Sequence, residues 1–144
     1  MRVLVIHGPN LNLLGERQPE VYGTETLVQI EAYISECARE LGIEVAFEQH
    51  DGEGAIVAAI HAARKTFDAI VINPGAYSHY SYAIADAISS VRIPVAEAHL
   101  SNIAARESHR RTSVTAAACV GAVSGFGRDS YVLALRAVAK IQGK

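Results

Sequence analysis

A chain of 144 residues, half of them apolar and 19% charged, is long enough for one domain with a real core and needs no disulfide or metal staple. Its formal charge of -2 at pH 7 gives no reason to expect nucleic acid or another polyanion as partner, and Cys37 and Cys119 are too few for a disulfide framework. No apolar run approaches membrane-spanning length and no signal peptide is visible. The expectation is a cytoplasmic protein with buried free thiols, no membrane contact, and residues 1–144 in a single domain.

Residues 2 to 7 read as a buried strand, because the run is short, β-branched and ended by Gly8-Pro9. The connection Gly8 to Gly23 is unusually long for one without secondary structure of its own, and such loops are disordered or functional. Leu11, Leu13, Leu14, Val21 and Tyr22 make it too apolar for disorder, so it reads as an ordered lid bringing Arg17 and Tyr22 to a site. Thr26 with Gln29 forms a capping-box signature, and Leu27, Ile30, Ile34, Cys37, Ala38 and Leu41 recur at helical spacing before Gly42. A second strand follows at 43–47, a helix around 56–63 and a third strand at 69–72, broken by Asn73-Pro74-Gly75. Residues 81–90 predict a helix, 94–98 a strand, 99–116 an irregular or briefly helical segment, 120–124 a fifth strand and 130–141 a final helix.

Alternation of strand and helix throughout predicts a parallel sheet covered on both faces. Five strands in one small α/β domain suggest a three-layer α/β/α, flavodoxin-like doubly wound sheet in the order 2-1-3-4-5. Ligands of such sheets bind beyond the carboxyl ends of the strands, near the switch between strands 1 and 3. Three polar loops converge there: Asn10, Arg17 and Tyr22 after strand 1, Asn73 and His79 after strand 3, and Glu97, His99 and Ser101 after strand 4.

The chemistry is narrowed by what is missing. GPNLNLLG has neither the dinucleotide glycine spacing nor a phosphate-loop lysine. No lysine falls in a strand-end loop, which argues against a Schiff base, and no nucleophile elbow surrounds Ser101. His79, His99 and Glu97 make a weak metal set without a helical histidine pair. What remains is acid–base chemistry. Tyr22 is either a base assisted by Arg17 and Arg106, or a loop ring used for packing. His99 is either an acid oriented by Glu97 or a polar strand end, and Asn73 alone reads as a turn residue. His7, His50, His61 and His109 have no convergent partners in the sequence and read as structural or surface residues. A different class of reading is a binding module for flavin or phosphate, against which the missing phosphate loop counts.

Four stretches, GPNLNLLGERQPEVYG, NPGAYSHYSYAIADAI, EAHLSNIAARE and SGFGRDSY, stand in this order. With them the sequence resembles the type II 3-dehydroquinate dehydratases over essentially its whole length. The resemblance implies a flavodoxin-like lyase that needs no metal or organic cofactor and assembles as a homododecamer, a tetramer of trimers. It implies that the substrate is 3-dehydroquinate, which loses water by anti elimination through an enolate to give 3-dehydroshikimate. By the same resemblance Tyr22 is the base, Arg17 closes with the lid and Arg106 keeps Tyr22 ionised. Asn10 holds a water or the enolate oxygen, and His99 protonates the departing hydroxyl beside Glu97. Asn73, Ser101 and the amides of Leu100 and Ser101 take the carboxylate, His79 and Arg110 the ring hydroxyls, and Asp86 is lent by a neighbouring subunit. Tyr80, Tyr82, Ala98 and Ser108-His109 depart from the family pattern at the border of the site.

Overall fold

The computed structural model describes residues 1–143. Strands β1 (Arg2–His7), β2 (Glu44–Gln49), β3 (Ala69–Asn73), β4 (Val95–His99) and β5 (Gly121–Ser124) form one sheet in the order β2-β1-β3-β4-β5. Every neighbouring pair is parallel. The expected doubly wound order is therefore found, with the switch between β1 and β3.

The sheet is central because its middle strands are apolar on both sides. Val3, Val5 and Val71 face α2 (Leu27–Glu40) and α5 (Asp129–Gln142), packing with Ile30, Ile34, Tyr131 and Leu135. Leu4, Ile6, Ile70 and Ile72 face α3 (Glu53–Ala63) and α4 (Tyr82–Ser90), packing with Ile56, Ile60, Ile84 and Ile88. Period-2 alternation thus sends successive strand residues into two separate cores. The predicted capping box closes the start of α2: the Gln29 amide donates to Thr26 Oγ1, and the Thr26 amide to the Gln29 side chain.

Several boundaries move. The connection after β1 is not without structure of its own: it contains a 3-10 turn at Leu11–Leu13 and the one-turn helix α1 (Pro19–Tyr22). Pro19, with φ preset and no amide to satisfy, starts that turn. β4 begins after Pro94 and runs to residue 99, one residue beyond the expected end, so His99 as well as Glu97 lies within the strand rather than in the loop after it. The segment 99–116 holds short 3-10 turns at Ile103–Ala105 and Ser108–Arg110, and a third begins at its end, Ala116–Ala118. The thiols are free but only partly buried, not fully as expected. Cys37 lies within α2, and Cys119 directly follows the Ala116–Ala118 turn.

Two loops meet over the switch point. The Gly8 amide donates to the Asn73 carbonyl at 2.7 Å, extending the β1–β3 pairing past the strands. A Cβ on Gly8 would stand 2.5 Å from the carbonyl carbon and oxygen of Pro74, a backbone contact that cannot be relieved by a rotamer change. Gly75, at φ +60, meets Pro9 in the same way at 3.2 Å. Gly8→Ala should therefore destabilise the fold by about 2 kcal/mol or more, in the range of overpacking. Gly54→Ala, inside α3 with open space around it, should stabilise by about 0.5–1 kcal/mol through helix propensity. Urea unfolding of the two variants checks the opposite signs.

Candidate active site

At the carboxyl edge of the sheet the loops enclose a cleft of about 120 Å³. Of the residues singled out in the sequence, Asn10, Arg17, Tyr22, Asn73, His79, His99, Leu100, Ser101, Arg106 and Arg110 line it. Glu97 does not. It lies behind His99, with none of its side chain exposed. Asp86 is exposed on α4 and lies outside the cleft formed by one chain.

Tyr22 closes one wall. It ends α1, and its ring packs against the α2–α5 core. Arg106 Nη1 donates to the phenol oxygen at 3.1 Å and to Ser101 Oγ at 3.3 Å. The Arg17 guanidinium sits over the same ring, 4.8 Å from its centre. Two cations therefore flank one phenol, so negative charge developing on its oxygen meets a donor already in place.

The opposite wall is an imidazole backed by a buried carboxylate. His99 Nε2 lies 2.8 Å from Glu97 Oε2. A fully buried carboxylate only accepts, so Nε2 carries the proton and Nδ1 is the nitrogen left for a ligand. Ser113 Oγ donates to Glu97 Oε2 at 2.6 Å, and Thr115 Oγ1 donates to Oε1. The Ala116 amide donates to Ser113 Oγ at 3.0 Å, which fixes the direction of the serine proton. Three donors thus satisfy a charge that would otherwise be costly to bury. Ser113 and Thr115 were missed in the sequence because their segment has no periodicity. The available signal was the acidic residue inside the strand pattern Val-Ala-Glu-Ala-His: such a strand needs donors, and hydroxyls at 113 and 115 are near in sequence.

The remaining wall offers polar groups of fixed sense. His79 Nδ1 donates to the Thr112 carbonyl at 2.9 Å, leaving Nε2 as an acceptor. Asn73 accepts from the Gly75 amide at 3.2 Å and donates to Tyr131 Oη at 3.1 Å. Asn10 adopts φ 68 at the mouth, its amide held by Asp51 at 3.1 Å. Arg110 is drawn to the rim by Glu107 at 2.7 Å. His7 has the partners its sequence context did not show: it is fully buried, 3.0 Å from Tyr131 Oη through Nδ1 and 3.2 Å from Glu31 through Nε2. Among the described residues no group of three or more His, Cys, Asp and Glu side chains is arranged to hold a metal ion, and no helix is long and apolar enough to cross a membrane.

The family model described as Dehydroquinase class II matches residues 1–139. The chain belongs to this family. A protein of Thermoanaerobacter pseudethanolicus named 3-dehydroquinate dehydratase is 55% identical over 137 residues, covering 95% of this chain and 93% of that protein. A protein of the same name from Caldanaerobacter subterraneus is 56% identical, again over 95% and 93%. The crystal structure of a type II dehydroquinase from Butyrivibrio crossotus superposes with a TM-score of 0.94 at 45% identity, covering 96% of this chain and 97% of that one.

The buried carboxylate has two checkable consequences. Removing one donor with Thr115→Val should cost about 1–3 kcal/mol in chemical unfolding, the penalty of a buried acceptor left short. Burial first, and then the Glu97 charge, push the Cys119 thiol up to about 12. A raised value keeps the thiol protonated through neutral and mildly alkaline pH, so at pH 8 iodoacetamide should spare Cys119 in the folded protein and label it after denaturation, as peptide mass mapping will read.

Proposed function

We propose that this protein dehydrates 3-dehydroquinate to 3-dehydroshikimate by anti elimination through an enolate, as a cytoplasmic step of the shikimate route to chorismate and the aromatic amino acids. The observation that carries the reading is the pairing in one cleft of Tyr22, with Arg106 on its phenol oxygen, and His99, with the buried Glu97 behind it. Family membership supplies the substrate.

In this reading the substrate carboxylate lies against Asn73, Ser101 and the amides of Leu100 and Ser101. His79 accepts from a ring hydroxyl, and Arg110 contacts another at the rim. Tyr22, as phenolate, takes the proton from the carbon beside the ketone, with Arg17 and Arg106 balancing its charge before transfer. Negative charge moves to the ketone oxygen, where Asn10 places a hydrogen-bonding water or its own amide. The enolate then re-forms the ketone and expels the β-hydroxyl, which takes a proton from His99 Nδ1 and leaves as water. Glu97 balances His99 while it holds both protons and keeps its ring aimed. One proton has entered Tyr22 and one has left His99, so solvent exchange between them resets the site. No step calls for a metal or an organic cofactor.

Asp86 lies outside the cleft of a single chain, which is consistent with its being lent to a neighbouring copy's site in a homododecamer built as a tetramer of trimers. One catalytic domain per chain, 1–144, completes the reading.

Purified protein with 3-dehydroquinate should generate the ultraviolet absorbance of a conjugated enone, unaffected by a chelator. Tyr22→Phe should lower kcat by about 10²–10⁴ with circular dichroism unchanged, the usual worth of a positioned acid or base. Undiminished turnover in that variant would remove Tyr22 from its role. Light scattering should give twelve chains per particle, and Asp86→Ala should raise KM.

A further inference from the structure

Tyr131 and His7 belong to neither of the proton-exchanging walls, yet they form a buried chain that ends on a cleft residue. Parallel register sets His7 of β1 beside Asn73 of β3, and alternation turns both toward the face covered by α5. There the phenol of Tyr131, fully buried, reaches both: 3.1 Å from Asn73 Nδ2 and 3.0 Å from His7 Nδ1. His7 Nε2, on the far side of the ring, lies 3.2 Å from the Glu31 carboxylate, close enough for charge attraction but off the line of a hydrogen bond.

The protons in this chain can be ordered by elimination. An amide nitrogen only donates, so Tyr131 Oη accepts from Asn73. The phenol proton is buried and must find an acceptor, and among the described residues only His7 Nδ1 is within reach. His7 therefore carries its proton on Nε2, facing the Glu31 carboxylate. The other tautomer would point a lone pair at that carboxylate and strand the phenol proton. A doubly protonated ring would strand it too. Burial pushes the Tyr131 phenol well above its ordinary range, so its proton stays in place at every working pH. Asn73 Oδ1 is meanwhile taken by the Gly75 amide at 3.2 Å.

We infer that the His7–Tyr131 pair is a positioning device that locks the Asn73 amide with Nδ2 toward the cleft, so that the cleft presents a donor there and selects a carboxylate over a neutral group. The inference rests on the carboxylate position proposed above. Of the two Nδ2 protons, one is committed to Tyr131 and one is free for a ligand. A half-turn of the amide would instead offer Oδ1, which repels an anion. Tyr131 and His7 touch no ligand and act only through Asn73.

The test is a ratio that a merely structural residue would not move. Calorimetry with the unmodified protein and its variants should compare a cyclohexane carboxylate, quinate, with its methyl ester. Tyr131→Phe keeps the ring and removes the lock. It should raise KM for 3-dehydroquinate roughly tenfold, with kcat within about threefold, because an interaction shared by ground and transition states is weakened. The same variant should narrow the quinate-to-ester preference by about tenfold. His7→Gln, whose amide oxygen can take the phenol proton, should keep the wild-type preference, whereas His7→Phe should lose it. Folded Tyr131→Phe and His7→Phe proteins with unchanged KM and unchanged preference would overturn the inference, as would a fall in kcat alone. If wild-type protein forms no enone, the proposed reaction fails, and the binding ratio still reads the lock independently.

Discussion

The structure around the cleft depends on one buried carboxylate. Glu97 occupies a strand position that every other requirement of the sheet would fill with valine or isoleucine, and none of its side chain is exposed. Burying an unpaired carboxylate costs several kcal/mol, so the fold must bring donors to it. The segment 112–116 does this by crossing the end of β4 with Ser113 and Thr115 turned inward. The third donor is His99, two residues further along the same strand and therefore on the same face. The cost of the charge thus dictates the path of a loop that has no hydrophobic pattern of its own. It also fixes which ring nitrogen of His99 faces the cleft.

Two kinds of support meet at this site. His99 and Asn73 stand on the ends of central strands, where packing on both faces leaves little freedom. Tyr22 stands on a one-turn helix at the end of a long connection, held by Arg106, by Arg17 and by its ring against the core. Arg106 itself bridges to Ser101, which follows β4. A single guanidinium therefore ties the wall built on a loop to the wall built on the sheet. The contact of Gly8 with Pro74 matters for the same reason: it draws the first connection down onto the β1–β3 switch, so that Asn10 and Arg17 arrive over the strand ends.

The fold was legible because its signals are strong and local. Buried β-branched runs, the Thr26–Gln29 capping box and the Asn73-Pro74-Gly75 break each fix an element, and their alternation fixes the parallel sheet. The placement of polar residues was legible through topology, since strand-end loops at a switch point converge whatever their sequence. What could not be read was the support behind them. Nothing in the period of the last helix says that the phenol of Tyr131 reaches two strand ends far away in sequence, and His7 looked solitary for that reason. Ser113 and Thr115 were hidden in an aperiodic segment. Glu97 was grouped with the strand-end loop although the expected strand, 94–98, contained it, because an acidic residue in a sheet buried on both faces contradicts the usual pattern. That grouping had a physical source, since propensity votes against a charge that tertiary donors make tolerable.

The same asymmetry explains how a small sheet can hold opposite polarities a few residues apart. Alternation sends His7 and Asn73 to the α5 side and Glu97 and His99 to the α4 side, so the two hydrogen-bond chains run on opposite faces and meet only at the carboxyl edge. On one face the donors end on an acceptor, Glu97, and the group offered to the cleft is an imidazole nitrogen. On the other face the chain runs toward the Glu31 carboxylate, and the group offered is an amide proton. Each chain has a carboxylate at its far end, hydrogen-bonded to His99 in one and only in charge contact with His7 in the other. Period-2 geometry keeps the two chains apart with a sheet between them, and that separation lets an amide and an imidazole from opposite faces line the same narrow cleft.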